Sequence, residues 1–206
     1  VLDTLRKEAE KCGLTFGPDP ATHDHCTLGG MIGNNSCGVH SVMAGRTADN
    51  VYELDVLTYD GLRLKVGKTS EGELERCIRE GGRKGEIYAG LKRIRDTYGK
   101  LIRERYPNIP RRVSGYNLDE LLPEHGFDLA KALVGTESTC VTVLEAKLRL
   151  VKSPPKRALL VVGFRDIFTA ADEVCGILAE GPIGLEAVDG RLVHNMGLKG
   201  LKLNDL

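Results

Sequence analysis

Between residues 23 and 40 the chain gathers His23, His25, Cys26, Cys37 and His40 around the stretch CTLGGMIGNNSCG, Cys26 to Gly38. Three chemistries use such residues: metal ligation, a thiol nucleophile with a histidine base, and anion binding by bare backbone. Structural zinc favours short paired spacings such as C-x₂-C. Here Cys37-x₂-His40 is the one pair of that kind, and ten residues separate Cys26 from Cys37. Zinc is therefore weakly supported. A Cys–His pair lacks any nearby residue that would order the histidine, and buried thiols are ordinarily inert. Backbone is the stronger candidate. Glycine loses the most freedom on ordering, so four glycines in thirteen residues imply either sharp turning or something laid directly on peptide groups. The pattern is not a nucleotide P-loop, because no Gly-Lys-Ser/Thr closes it. Nor do Gly29, Gly30, Gly33 and Gly38 fall at G-x-G-x-x-G. Successive N–H groups in a glycine-rich turn still form an anion-binding concavity. Thr27, Asn34, Asn35 and Ser36 add neutral hydrogen-bonding groups, and no Lys or Arg lies between Cys26 and Gly38. A phosphate there would be held by dipoles. The competing reading is a tight turn in a β-rich fold, and spacing alone slightly favours it.

The elements that must position this stretch can be read from periodicity. Leu2, Leu5, Ala9 and Cys12 recur at helical spacing and end at Gly13. Pro18 and Pro20 then forbid helix. Val51 to Val66 alternates around Asp60-Gly61, the signal of a two-residue hairpin turn. Ser70 with Glu73 is a capping box that opens the helix SEGELERCIREGG. Ile87, Leu91, Ile94, Tyr98, Leu101 and Ile102 form an apolar helical stripe from Glu86 to Tyr106, with Arg and Lys on the other face. Short helices are expected around LDELL and FDLAKAL, then strand in VTVLEAKLRLV. Ser153-Pro154-Pro155 reads as a linker. Beyond it ALLVVGF, a helix capped by Asp166, and GLEAVDG predict a β-α-β opening of a second domain.

Totals bound the function. Lys plus Arg and Asp plus Glu are 29 each, so the net charge is zero, and a general nucleic-acid surface is excluded. Hydrophobic residues make up 41%, enough for a core, and no apolar run approaches the ~20 residues that span a bilayer. No signal-peptide pattern is present. Six scattered cysteines in 206 residues fit reduced thiols without disulfides. These features predict a cytoplasmic chain without a transmembrane segment. It starts on Val1, directly in a helix, and is expected to be a piece of something longer.

The stretch PDPATHDHCTLGGMIGNNSCGVHSVMAGRTADNVYELDVLTYDG resembles the second half of the FAD-binding domain of FAD-linked oxidases, the vanillyl-alcohol oxidase and p-cresol methylhydroxylase type. Within them it is most similar to the D-2-hydroxyacid dehydrogenases, a group that includes the GlcD subunit of glycolate oxidase. RRVSGYNLDELL and LVGTESTCVTVLEAKLRLV match two later family segments in the same order. The likeness is greatest to long bacterial members in which a FAD half precedes an iron–sulfur half. The resemblance implies an α+β fold: residues 1–152 as the second subdomain of a FAD-binding domain, then 153–206 as the start of a substrate or cap domain. It implies non-covalent FAD, with the T-x-G-G backbone of Thr27, Gly29 and Gly30 against the pyrophosphate. Asn35, Gly38 and Gly45 would line the same cofactor, with Thr142 and Glu137 beside the flavin.

Three departures accompany the resemblance. The family's first FAD subdomain would precede residue 1. The substrate domain, with its metal- and carboxylate-binding histidines, would continue past Leu206, and His194 matches none of them securely. Ser138, Cys140 and Val141 replace the Gly, Leu and Gly of the family's EGTLG. No C-x₂-C-x₂-C-x₃-C-P run occurs, so any iron–sulfur cluster belongs to other parts of the parent protein. Tyr116 matches a family tyrosine near the flavin, although an ordinary half-buried aromatic fits equally. Arg111 and Arg112 read as surface charge, and His40 either approaches the flavin or caps a turn. The implied parent moves a hydride from a D-2-hydroxy acid of the D-lactate, D-2-hydroxyglutarate or glycolate type to flavin. Its catalytic base is expected outside these residues, so none is named. An alcohol or carbohydrate oxidase on the same fold and a non-catalytic flavin-binding module are the alternatives.

Overall fold

The computed structural model describes residues 1–200. Helix α1, Leu2–Glu10, buries Leu2 and Ala9 and ends ahead of Gly13, whose φ of +69° suits glycine. Strand β1 (Leu14–Thr15), helices α2 (Leu28–Asn34) and α3 (Ser41–Ala44), and a 3₁₀ turn over Ala48–Asn50 follow. The expected hairpin is present as β2 (Val51–Thr58) and β3 (Arg63–Val66). Its turn is wider than two residues. Leu57 pairs with Arg63, and the Thr58 amide donates to the Leu62 carbonyl at 2.9 Å, leaving Tyr59, Asp60 and Gly61 as the loop. Gly61 is left-handed at φ +87° but Asp60 is not, whereas a type I′ turn needs both central residues there.

Helix α4, Glu71–Glu80, opens on the expected capping box: Ser70 Oγ accepts from the Glu73 amide, and the Glu73 carboxylate accepts from the Ser70 amide. Gly81 and Gly82, φ +70° and +63°, reverse the chain directly into α5, Gly82–Arg105. The buried face of α5 differs from the expected stripe. It carries Gly85, Tyr88, Arg95, Gly99 and Ile102, while Tyr98 and Leu101 stay half-exposed. The helix docks through its glycines. A Cβ on Gly85 would lie 2.9 Å from the Cys77 carbonyl oxygen, and one on Gly99 would lie 3.4 Å from Leu122 Cδ2. Arg95 is carried inward with that face, where it pairs with Glu71 and with Asp96 and covers the Phe127 ring.

Two 3₁₀ turns, Leu118–Leu121 and Pro123–His125, lead to α6 (Leu129–Leu133), β4 (Val141–Leu148) and β5 (Val151–Lys152). Among the described residues the main sheet runs β3-β2-β4, antiparallel throughout, and β1 pairs with β5. One face of the sheet packs Val51, Leu54, Val56, Leu64 and Val66 against Leu74, Tyr88, Leu121, Phe127 and Leu129. A smaller cluster of Leu2, Phe16 and Met31 seats α2 on α1. The α+β class is as expected.

The region after Ser153 departs from the expected β-α-β pattern. Helices α7 (Ile167–Asp172), capped by Asp166 as predicted, α8 (Val174–Ala179) and α9 (Gly190–Leu198) form. Neither ALLVVGF nor GLEAVDG is a strand; Leu159 is 90% exposed. A strand exists only with a ladder partner, and among the described residues none lies beside them. Residues 201–206 of the expected second domain lie outside the described residues. No helix among the described residues is long and apolar enough to cross a membrane.

Glu120 sits 7% exposed at the end of the core, with its Oε2 3.4 Å from His125 Nδ1. Burial pushes its carboxyl above the usual range; Lys131 and His125 oppose this, and Asp119 and Asp128 reinforce it. The folded state therefore holds this proton more tightly than the unfolded chain, and stability falls as pH rises from the ordinary glutamate range through the folded-state value. Glu120→Gln should raise the urea midpoint at pH 7.5, with the difference closing by pH 4. Unfolding curves at the two pH values check this, and equal midpoints at pH 7.5 would contradict it.

Candidate functional site

The glycine-rich stretch is a helix where the sequence predicts a turn. Thr27 is its N-cap, with its Oγ1 accepting from the Gly30 amide at 3.1 Å, and α2 runs from there. Thr27 supplies the preferred cap chemistry that starts a helix even ahead of two glycines. The first-turn amides of Leu28 and Gly29 have no acceptor among the described residues, as at any helix start. Gly29 and Gly30 are exposed and take ordinary helical dihedrals. A Cβ on Gly29 would meet nothing within 4 Å among the described residues, and one on Gly30 only Thr27 Oγ1 at 3.3 Å. Glycine inside a helix costs about 0.5–1 kcal/mol relative to alanine. Neither backbone strain nor internal packing accounts for these two. The helix end is bare on its outer side.

Gly38 and Gly45 have a different explanation. A Cβ on Gly38 would overlap the Asp19 carbonyl group, so this glycine is fixed by the chain crossing it. Gly45 has φ +71°, and a Cβ there would lie 2.5 Å from Asp49 Oδ2. Asp19 is a hub: one carboxylate oxygen accepts from the His40 amide at 2.8 Å, and the other lies 2.8 Å from the His40 ring. His40 thus faces Asp19. His23 sits on Asp3, and His25 on Asp24. All six cysteines are free thiols.

Asn35 closes α2 in the left-handed conformation, φ +50°. It is fully buried, its Oδ1 accepts from the Ala48 amide at 3.0 Å, and its Nδ2 has no partner among the described residues. The same helix end receives the segment entering β4: the Gly135 amide donates to the Ile32 carbonyl at 2.8 Å and the Glu137 amide to the Gly33 carbonyl at 3.0 Å. Glu137 is thereby placed beside α2. Thr142 lies farther along, exposed on β4 opposite Leu57. The structure brings Thr27, Gly29, Gly30, Asn35 and Glu137 onto one helix and its rim, and keeps Gly38 and Gly45 in the packed return.

Sequence reasoning missed the network behind this rim. Arg46 forks onto Asp49 and donates to the Arg112 carbonyl at 2.6 Å, Arg112 bonds Asp119 at 2.6 Å, and Arg111 donates to the Gly38 carbonyl at 2.7 Å. Arg111 and Arg112 are therefore ties and not loose surface charge. Burial opposes charge on Asp49, but hydrogen bonds from Arg46 outweigh it and hold the carboxyl below its usual range. The i,i+3 spacing of Arg46 and Asp49 was the available signal. Two cavities, of about 490 and about 370 Å³, open on the sheet and not at α2; the second is apolar and bounded by Leu64, Ile87, Leu133 and Val141. The candidate site is an open surface.

Residues 1–67 match the FAD binding domain family. The chain is 32% identical over 194 residues to D-2-hydroxyglutarate dehydrogenase of Pseudomonas putida, covering 94% of this chain and 19% of that protein. It is 24% identical over 178 residues to glycolate oxidase subunit GlcD of Escherichia coli, covering 85% of this chain and 26% of that one. The chain belongs to the FAD-linked oxidases, in the D-2-hydroxyacid dehydrogenase and glycolate oxidase group. A third relative, D-lactate dehydrogenase of Anaerostipes hadrus, is 37% identical over 76 residues, 35% of this chain and 16% of that protein. This FAD-linked oxidase chain spans about a fifth of the length of the D-2-hydroxyglutarate dehydrogenases it matches.

The two kinds of glycine should respond oppositely to a methyl group. Gly29→Ala is expected to stabilise the chain by about 0.5–1 kcal/mol, the helix-propensity gain at an unobstructed position. Gly38→Ala should destabilise it by about 1–3 kcal/mol through the clash with Asp19. Urea unfolding of both variants decides. Stabilisation by Gly38→Ala would remove Asp19 as the reason for that glycine.

Proposed function

We propose that residues 1–152 form the second subdomain of a FAD-binding domain, that 153–206 begin a substrate domain, and that the longer protein dehydrogenates a D-2-hydroxy acid. The observation that carries this reading is the bare start of α2. Two glycines that the fold does not require stand at a helix N-terminus with open amides. Helix starts of that kind bind phosphate through backbone donors and the helix dipole. The fit is chemical as well as steric, because a pyrophosphate can lie directly on peptide groups that have no side chains above them.

In this reading Thr27, Gly29 and Gly30 hold the pyrophosphate of non-covalent FAD. Asn35 and Glu137 form the adjoining rim with Thr142 beyond, while Gly38 and Gly45 shape the return that supports it. FAD supplies the hydride acceptor when bound. The residues of this chain bind and orient; the proton acceptor for the substrate hydroxyl is assigned to none of them. Any iron–sulfur cluster of the longer protein is likewise held elsewhere. The relatives named for D-2-hydroxyglutarate, glycolate oxidase and D-lactate support a small 2-hydroxy acid as substrate. Six scattered free thiols support a reducing, cytoplasmic setting.

FAD in this arrangement is gripped from two sides, and these residues supply one. The isolated chain should bind FAD weakly or not at all, since losing half of a buried site also leaves the remainder less ordered. Supplying the other subdomain, in cis or as a separate chain, should restore stoichiometric binding. Gly30→Val in that assembly should then weaken it by about a hundredfold or more, roughly 2.7 kcal/mol, with the fold retained. Equilibrium dialysis against FAD checks each step, and tight binding by the isolated chain would overturn the half-site reading. Bleaching of the assembled flavin by a panel of D-2-hydroxy acids, against alcohols and sugars, separates the dehydrogenase from an oxidase of other substrates; a coloured protein that nothing bleaches points to the binding module.

A further inference from the structure

Glu137 (φ +49°) and Ser138 (φ +60°) are consecutive left-handed residues that are not glycine. Such backbone persists only where its surroundings over-determine it. The start of this turn is fixed by the bonds from the Gly135 and Glu137 amides to α2. Its far end is fixed by a chain of hydroxyls. Thr139 Oγ1 lies 2.6 Å from the Thr136 carbonyl oxygen and 2.6 Å from the Tyr116 hydroxyl. A carbonyl only accepts, so Thr139 gives its one hydroxyl proton to Thr136, and Tyr116 must donate to Thr139. Hydrogen bonds in series of this kind strengthen one another.

Tyr116 is itself anchored. The Tyr106 hydroxyl donates to the Tyr116 carbonyl at 2.7 Å, and the Arg112 guanidinium sits 4.5 Å above the Tyr106 ring while bonding Asp119. The turn is therefore connected to the arginine network behind the glycine return. From the hairpin side the Tyr59 hydroxyl donates to the Ser138 carbonyl.

We infer that Tyr116 is a positioning residue: its hydroxyl, acting through Thr139, holds the 136–139 turn left-handed and so sets the direction in which the chain leaves α2 for β4. The consequence for cofactor binding, that Glu137 and Thr142 are presented correctly only when this relay is intact, rests on the flavin reading above. Tyr116 is 44% exposed, so Tyr116→Phe removes the donor while leaving the ring in place. Ser138→Gly supplies left-handed backbone without a Cβ and should make the relay dispensable.

Amide hydrogen exchange at residues 138–141 and FAD affinity, both on the full-length protein, test the inference. Tyr116→Phe should speed exchange of the Thr139 and Cys140 amides about tenfold and weaken FAD binding by a similar factor, the loss of about one net hydrogen bond. Thr139→Val, which cuts the same relay from its other end, should do the same. Adding Ser138→Gly to Tyr116→Phe should bring both readouts back to within about twofold of the parent, a rescue that a merely structural tyrosine would not show. Wild-type exchange in Tyr116→Phe, or no rescue by Ser138→Gly, overturns the inference. Altered and rescued exchange with unchanged FAD affinity supports the relay and instead counts against the flavin reading of residues 137–142.

Discussion

The C-terminal end of α2 is the junction on which the rest of the site depends. Asn35 leaves the helix left-handed and fully buried, and its carboxamide oxygen takes the amide of Ala48. One short turn away, the carbonyls of Ile32 and Gly33 receive the amides of Gly135 and Glu137. Helix carbonyls at a C-terminus have no partners within the helix. Here they are used to join segments about a hundred residues apart. Because an unpaired buried polar group costs about 1–3 kcal/mol, this junction admits few alternatives. It fixes where β2 begins, where β4 is approached, and which way the start of α2 points.

That fixed orientation separates the two uses of glycine in this chain. Gly38 and Gly45 are required by neighbours already present, Asp19 and Asp49. Gly29 and Gly30 are required by nothing the chain itself provides, and they weaken the helix that contains them. Local destabilisation at one solvent-facing helix start, in a fold that is otherwise well capped and closely packed, is the pattern expected where a ligand must approach backbone. The arginine network formed by Arg46, Arg111 and Arg112 lies behind this surface and not on it. Charge braces the return loop, and the candidate ligand face is left to amides and dipoles.

Much of this is legible in the residues. Capping chemistry at Ser70 and Asp166, the alternation of Val51 to Val66 and the stop at Gly13 are local signals, and the structure keeps them. The segment likeness groups Thr27, Gly29 and Gly30 as neighbours of one ligand. What sequence misses is non-local. Large apolar side chains mark a stripe on α5, yet the helix docks through Gly85 and Gly99, whose value is the closeness they permit. The segment ALLVVGF has strand composition without a ladder beside it. Spacing groups Gly38 and Gly45 with the bare glycines because it cannot show that Asp19 and Asp49 fold back upon them. The helix at residues 28–34 is hidden by its own glycines, whose poor propensity is overridden by Thr27, Asn35 and the burial of Met31 and Ile32.

The central claim is that a cofactor phosphate lies on the open amides at the start of α2. Residue-resolved amide exchange at Leu28, Gly29 and Gly30 in the full-length protein, with and without saturating FAD, tests it directly. The account predicts that FAD slows exchange at Leu28 and Gly29 by at least about tenfold, while Gly30, already bonded to Thr27, changes less. FAD that binds tightly and leaves the Leu28 and Gly29 amides as fast as in the free protein would contradict it.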